Sequence, residues 1–548
     1  MQENAIHPII YVRGYAMTQN EIEDTVADPY MGFNIGSCKV RRLWDGTVKK
    51  YFFESPLVRL LKQYGYDDVY EEGLDRVAEA PAPADPTEAL AAVPYRSIVI
   101  YRYYEPSSED LGTGQKPDMK RFATGLGELI LSLRDRIYPN GAKTVITPEE
   151  QALGKLPYKQ FRVYLVAHSM GGLVCRAFLQ NPAFGDAKAR PLVDKVFTYA
   201  TPHNGIEVGV LGNVPGWLSL YGMNTFNRDE IARVLGLTKQ QRDGDNVDII
   251  TNFDASRVFN LVGTNPGDYK SAGGLSSFAV GDASDGLVRI KNATTRGREG
   301  REILPSPQAF VNRSHSGYFG IVNSEEGYQN LTRFLFGDVR ADGYLEIDEL
   351  TLPPAVQKEY DAGKKVRASY LFEVSVSIRG KTWQLHRRAA NENSAIFRKF
   401  DDLFSKWDSK KKVWLPDRTS SPMLFNVFLD MGQSQTGKTL AFAADLCVRV
   451  PEYEVNGVLF FKNHFEGGYL FRDMVMLEAT PPATETAAPT DWKIEYRFAS
   501  KPGQTRLATI VADDDDVLTF DIPVEQPNPP GIKARLRVET RFWNDWQA

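Results

Sequence analysis

The spacing of apolar residues changes period once along the chain. Over the first 340 residues, short unbroken apolar runs alternate with stretches in which apolar residues recur every three or four positions. Pro8-Ile9-Ile10-Tyr11-Val12, residues 97–103 (SIVIYRY) and residues 161–167 (FRVYLVA) have the length and composition of strands buried on both faces. Residues 196–199 and 258–262 predict two more strands, and residues 309–312 a last one. Phe122, Leu126, Leu129, Ile130, Leu133 and Ile137 keep one face of a helix bounded by Pro117 and Pro139. Residues 170–180 predict a second helix, stopped by Asn181-Pro182. A third spans about 324–336, with Tyr328, Leu331, Phe334 and Leu335 on one face and Gly337 as its C-cap. Strands alternating with helices predict an α/β domain: a mostly parallel sheet with helices on both faces.

From about residue 340 the three-to-four period fades and an alternation of two takes over. Residues 370–378 (YLFEVSVSI), 424–429, 440–450, 458–462, 492–498, 518–522 and 532–542 read as short strands separated by Gly, Pro and Asn, the pattern of an all-β sandwich-like domain. One amphipathic helix is expected over 394–407. The predicted division is 1–340 and 341–548. Residues 80–94 and 481–489 are Ala/Pro-rich and read as loops.

Composition narrows the function. A chain of 548 residues favours two domains over one. The net charge of −5 provides no global basic footprint, so nucleic acid is not an expected partner. Three widely separated cysteines, Cys38, Cys175 and Cys447, exclude a disulfide scaffold and a cysteine-rich zinc module. Asp513-Asp514-Asp515-Asp516 reads as a solvated turn, and no other spacing suggests a metal site, so neither metal nor cofactor is expected. No apolar run approaches the roughly 18 residues of a membrane span. The N-terminus lacks a basic segment ahead of its first apolar run, which therefore reads as a core strand and not as a signal peptide. A chain made in the cytoplasm is expected, with any export requiring a dedicated secretion system.

The chemistry concentrates at Ala167-His168-Ser169-Met170-Gly171-Gly172, between an apolar strand and a helix. A serine in that context is a nucleophile elbow: the turn holds the hydroxyl above the sheet edge, and its flanks must be small because the two backbones nearly touch. Ala167 stands where glycine is usual. A serine needs a base, and the base needs an acid to orient it. In such proteins the order along the chain is Ser, Asp or Glu, then His. His7 precedes the serine, His168 lies in the elbow with its ring turned away from it, and His386 and His464 lie in the β-rich part. Order leaves His203 and His315, and His315, between the last strand and the last helix, stands where the base belongs. Asp285 is the chosen acid, with Asp282 a close competitor and Asp268 a distant one. Two backbone N–H groups must receive the developing oxyanion. Met170 supplies one; Tyr15, after Arg13-Gly14 at the end of the first strand, supplies the other.

These segments, with Tyr199-Ala200-Thr201-Pro202-His203-Asn204-Gly205 and Ser284-Asp285-Gly286-Leu287-Val288, resemble the α/β-hydrolase lipases and esterases over about residues 7–338, in particular the bacterial lipases, GPI-inositol deacylases and lecithin:cholesterol acyltransferases. The resemblance implies hydrolysis of a carboxylic ester through an acyl-enzyme. It also implies a structural role for His203. Arg13 departs from the pattern, because many lipases have His there.

The inserts bear on the substrate. Residues about 206–255 read as a cap or lid insert, with a helical excursion packed permanently on the core as the alternative; the segment 208–221 is apolar and punctuated by glycine. Leu211, Trp217 and Tyr221 are its substrate-binding candidates. A second insert, 17–50, follows the oxyanion loop as another wall. Two apolar walls point to lipid acyl chains, with a membrane surface or a protein partner for the C-terminal domain. An acyltransferase using the same triad, and an exported antibacterial lipase effector whose β domain binds a partner, are the alternatives. Residues 432–439 (GQSQTGKT) match a phosphate-binding loop, but the following residues alternate like a strand, so a hairpin loop is expected instead.

Overall fold

The computed structural model describes residues 6–14, 19–42, 45–71, 74–77, 93–114, 118–206, 227–266, 283–317, 320–362, 366–404, 406–408, 413–433, 439–456, 462–480, 492–514 and 517–544. Tyr15, Asp268, Asp282, Leu211, Trp217 and Tyr221, and with them the whole 208–221 segment, lie outside the described residues. The chain clusters into two compact units, one of residues 1–308 and 312–335, the other of 309–311 and 336–548.

The parallel sheet has seven strands in the order Gln308–Val311, Val258–Gly263, Val193–Tyr199, Val163–His168, Ile9–Val12, Ser97–Ile100 and Asp67–Asp68. Neighbouring strands run parallel, with Ile9 opposite Tyr164 and Val12 opposite Ala167. Ile9 to Val12 are buried without interruption, as helices on both faces require. Helix Met119–Ile137 turns Phe122, Leu126, Ile130, Leu133 and Ile137 inward, and its N-cap is Asp118, whose carboxylate accepts the Lys120 N–H. Helix Met170–Gln180 is buried along its whole length. Its Arg176 makes no ion pair within 4 Å among the described residues, Asp248 acting on it only from farther off. It donates instead to the carbonyls of His203, Val247 and Ile249 and to Gln180 Oε1, and burial lowers its pKa to about 10. Helix Glu325–Phe336 completes the cover.

Of the 206–255 insert, the second half contains helix Arg228–Leu235, which buries Ile231, Ala232, Val234 and Leu235 and is tied to Asn181 by an amide donating to the Val234 carbonyl at 2.8 Å. That part packs at the C-terminal end of helix Met170–Gln180, where Gly236 also meets Asn181. The insert after the first strand holds helix Gln19–Val26 and a hairpin, Ser37–Arg42 with Val48–Phe53.

The second unit is a sandwich of two antiparallel sheets around one core. One sheet orders Met423–Leu429, Val339–Thr351, Gly531–Phe542, Val517–Gln526 and Thr509–Asp514. The other is led by Val366–Ile378, Leu440–Asn456, Lys462–Thr480 and Lys493–Phe498. Val366, Ala368, Tyr370, Phe372, Val374 and Val376 alternate inward along one strand.

Two expectations change here. The helix expected over 394–407 is a strand, Ile396–Lys399, then a single turn, Phe400–Leu403, then another strand, Lys406–Asp408. Ile396 pairs with Phe372, so the spacing that suggested a helix is met by one strand and one turn that both reach the core. The loop at 432–439 is not a hairpin: Met423–Leu429 and Leu440–Asn456 belong to different sheets, so it carries the chain from one sheet to the other. Its residues 434–438 lie outside the described residues, but Leu440 opens a strand, and a phosphate loop needs a helix there.

Candidate active site

Because Val12 lies opposite Ala167, the first strand and the elbow strand end side by side at the carboxyl edge of the sheet. Ser169 follows with φ 52° and ψ −127°, a left-handed conformation that a side chain with Cβ adopts only under strain. Its N–H is tied to the Tyr199 carbonyl at 2.9 Å and its carbonyl accepts the Gly172 N–H at 3.1 Å, so the turn is locked on both sides. A Cβ on Gly171 would lie 2.1 Å from the Val12 carbonyl oxygen, and a Cβ on Gly14 would lie 2.5 Å from the Ser169 Cβ. Only glycine lets the first strand, the loop after it and the turn at Ser169 approach this closely.

The three chain-distant residues converge here. The Ser169 hydroxyl lies 3.0 Å from His315 Nε2, and His315 Nδ1 lies 2.9 Å from Asp285 Oδ2. Asp285 is held in turn: its Oδ1 accepts the N–H groups of Leu287 and Val288 at 3.0 and 2.7 Å, and its carbonyl accepts the His315 N–H at 2.9 Å. With Oδ1 occupied, Oδ2 faces the imidazole and favours the tautomer protonated at Nδ1, which leaves the Nε2 lone pair facing the serine. Asp285 and His315 are both buried.

Met170 is the first residue of its helix, so its N–H has no intrahelical acceptor and points out at the positive end of the helix dipole. The Arg13 carbonyl accepts the Tyr103 hydroxyl at 2.7 Å, which fixes the loop in front of Tyr15. The Arg13 guanidinium is turned to the Met31 carbonyl. Beyond Tyr103, a cleft of about 870 Å³ opens among Tyr101, Leu111, Lys120 and Phe122.

His203 is fully buried, with Nε2 at 3.2 Å from Thr198 Oγ1, and burial first, then the nearby Arg176, holds its pKa well below the usual value. His168 has a role that the sequence did not reveal. Its ring lies 5.0 Å from that of His315, and its Nε2 lies 2.9 Å from the backbone carbonyl of His315. A carbonyl only accepts, so Nε2 carries the proton. Burial, and then repulsion from His315, pushes the pKa of His168 down to about 3, so this donor is neutral. The turn at Ser169 therefore grips the loop that carries His315. Among the described residues no cluster of His, Cys, Asp and Glu is arranged to hold a metal.

No protein-family model and no curated protein matches the chain. Among solved structures, phospholipase PlaB from Legionella pneumophila aligns with 80% of this chain and 86% of its own, at 11% identity and a TM-score of 0.29. A chain of the Tle4–Tli4 complex aligns with 37% of this chain and 47% of its own, at 16% identity and a TM-score of 0.13. Scores this low carry no weight for function, so the reading below rests on the site.

Proposed function

We propose that the chain is a serine-dependent carboxylic-ester hydrolase, a lipase or phospholipase, acting on a lipid-like substrate through an acyl-enzyme, with residues 1–340 catalytic and 341–548 accessory. One observation carries it: a continuous hydrogen-bonded line, Ser169 to His315 to Asp285, ending on a strained serine beside a free helix N-terminus. Ser169 Oγ attacks the ester carbonyl while His315 Nε2 takes its proton. Asp285 stabilises the resulting imidazolium and keeps the ring in place. The Met170 N–H, with that of Tyr15, receives the oxyanion. Collapse of the tetrahedral intermediate expels the alcohol, which takes the proton from His315. Water, deprotonated by the same nitrogen, then releases the acid and restores the serine.

The test pairs covalent labelling with turnover. A fluorophosphonate should add one adduct per chain, on Ser169, and p-nitrophenyl esters and phospholipids should be hydrolysed. Ser169→Ala should lose both properties. A Ser169→Ala chain that still turns over esters at the original rate would end the proposal.

A further inference from the structure

The hairpin Ser37–Arg42/Val48–Phe53 pairs with no further strand among the described residues. A two-stranded ribbon is marginal in water unless one face is packed. Its register sorts its residues onto two faces. Positions 37, 39, 41, 49, 51 and 53 share one face, on which Phe53 is half-buried beneath the Arg59 guanidinium, 5.8 Å from the ring centre. Positions 38, 40, 42, 48, 50 and 52 share the other. There Val40 is 58% exposed, Val48 60% and Phe52 76%, with exposed Arg42 and Lys50 between them and no acidic residue. Ordinary hairpins put polar residues on the face that meets water. Here that face carries three apolar side chains, two cations and the exposed Cys38. The ribbon from 37 to 53 carries five basic residues and one acidic one, Asp45, within a chain of net charge −5.

Topology sets where the hairpin stands. The chain leaves the first strand at Gly14, at the carboxyl edge of the sheet. After the hairpin, helix Pro56–Tyr64 must bring it back to the opposite edge, because Asp67–Asp68 runs parallel to Ser97–Ile100. The hairpin therefore precedes the descending helix, at the edge where Ser169 emerges.

We propose that this face docks the catalytic unit on an anionic lipid surface. The apolar side chains enter the boundary between headgroups and acyl chains, and Arg42 and Lys50 meet the lipid phosphates. The contact is peripheral: no helix among the described residues is long and apolar enough to cross a membrane. A second copy fits the face less well, since two such faces would set Arg42 and Lys50 against their own kind. Nucleic acid would engage the cations and leave Phe52 and both valines in water. The inference extends the lipid-hydrolase reading without depending on catalysis.

The experiment uses the full chain carrying Ser169→Ala, so that the vesicles are not consumed, and follows co-sedimentation with phosphatidylcholine vesicles with or without 30% phosphatidylglycerol. Binding should require the anionic lipid and weaken in high salt. Arg42→Gln with Lys50→Gln should lower the partition coefficient about 25-fold, since each cation near an anionic leaflet contributes roughly five-fold. Val48→Ser with Phe52→Ser should lower it at least about ten-fold. Introduced into the chain that retains Ser169, neither pair should change the melting temperature or the hydrolysis of a soluble short ester. Absent binding, equal binding to neutral vesicles, variants that bind like the parent, or a hairpin variant that instead converts a dimer to a monomer in sedimentation would each overturn the proposal. Soluble-ester hydrolysis reports on the catalytic reading by itself, so either idea can fail without the other.

Discussion

The carboxyl edge of the parallel sheet and the outer face of the β unit both concentrate polar side chains, but they hold them differently. At the sheet edge, polar atoms are fixed by backbone: Asp285 by two N–H groups, Ser169 by a strained turn, and the His315 loop by the ring of His168. On the β unit, charges hold one another. Glu346 lies opposite Arg535 and Asp521 opposite Arg537, and the four close a network at 2.6 to 2.9 Å. The first arrangement runs in a line that ends on the Ser169 hydroxyl. The second leaves no end open. Removing a group from the first should therefore cost rate, and removing one from the second should cost stability.

The largest effects test the open end. Ser169→Ala and His315→Ala should each lower kcat about 10⁶-fold, and Asp285→Asn about 10⁴-fold by presenting the wrong tautomer. Thermal melting should barely move for Ser169→Ala. A variant of this group that melted early and kept its specific activity would erase the contrast. The next effect falls on both quantities at once. Gly171→Ala puts a methyl 2.1 Å from the Val12 oxygen and 2.6 Å from that of Arg13, so strand and helix must separate. Denaturant unfolding should show a loss of about 1–3 kcal/mol. Because a shift of about 1 Å at a reacting centre costs about a hundred-fold, kcat should fall by that order too. An unchanged Gly171→Ala enzyme would mean that the elbow is not tight.

The contrast was half legible in the sequence. The α/β fold followed by a β sandwich was readable because buried parallel strands are short, apolar and unbroken while sandwich strands alternate, and Ile9–Val12 and Val366–Ile378 show those two patterns cleanly. Ser169, Asp285 and His315 could be nominated from chain order and local context, which is where elbow chemistry leaves its mark. Strand Val339–Thr351 was not readable. Its acids Asp342 and Glu346 break the apolar alternation; both are buried, Asp342 beside Arg340 on the same strand and Glu346 against Arg537, which only the fold brings near. The grip of His168 on the His315 carbonyl spans 147 residues and ends on backbone, so no side-chain pattern announces it. The expected helix over 394–407 failed because strand pairing with Phe372 satisfied the same apolar positions.

That grip makes a smaller prediction. His168→Ala should lower kcat about ten-fold to a hundred-fold with little change in KM, and His168→Gln, which keeps a donor, should recover part of the loss. With its folded pKa pushed down to about 3, His168 stays neutral throughout an ordinary assay range, so the pH–rate profile should keep its shape in both variants. Stability behaves differently. The unfolded chain protonates this ring near pH 6.5, before the folded chain does, so its contribution is full above 6.5 and is lost as pH falls toward 3. His7, buried and likewise lowered to about 3, adds to the same slope. Melting temperature measured between pH 7 and 4.5 should fall less steeply in His168→Gln than in the parent chain. Equal slopes would mean that the ring titrates alike in the folded and the unfolded chain, so that burial does not hold it neutral.

The smallest effect probes the closed network. In Arg537→Met the stem still covers the sheet, but Asp521 and Glu346 each lose a partner. Both carboxylates are mostly buried, with side chains 8% and 12% exposed, so the loss should exceed that of an ordinary surface pair. It should fall short of the 3–5 kcal/mol of an orphaned interior charge, because Arg535 still reaches both acids. About 1–2 kcal/mol is expected from urea unfolding. The same network acts on Asp348. Burial raises its pKa, but hydrogen bonds from Arg418 and Arg535 outweigh that and hold it below the usual carboxylate value. A carboxyl depressed in the fold stabilises above its unfolded pKa, near 4, and loses that contribution as pH falls further. The β unit should therefore weaken below pH 4, and half-molar salt should reduce the cost of Arg537→Met by screening the pair it breaks. Hydrolysis of a soluble ester by Arg537→Met should equal that of the parent at temperatures where both are folded. A large fall in kcat there would show that the charge ladder serves the chemistry as well as the fold, and the division between an edge that acts and a face that holds would no longer stand.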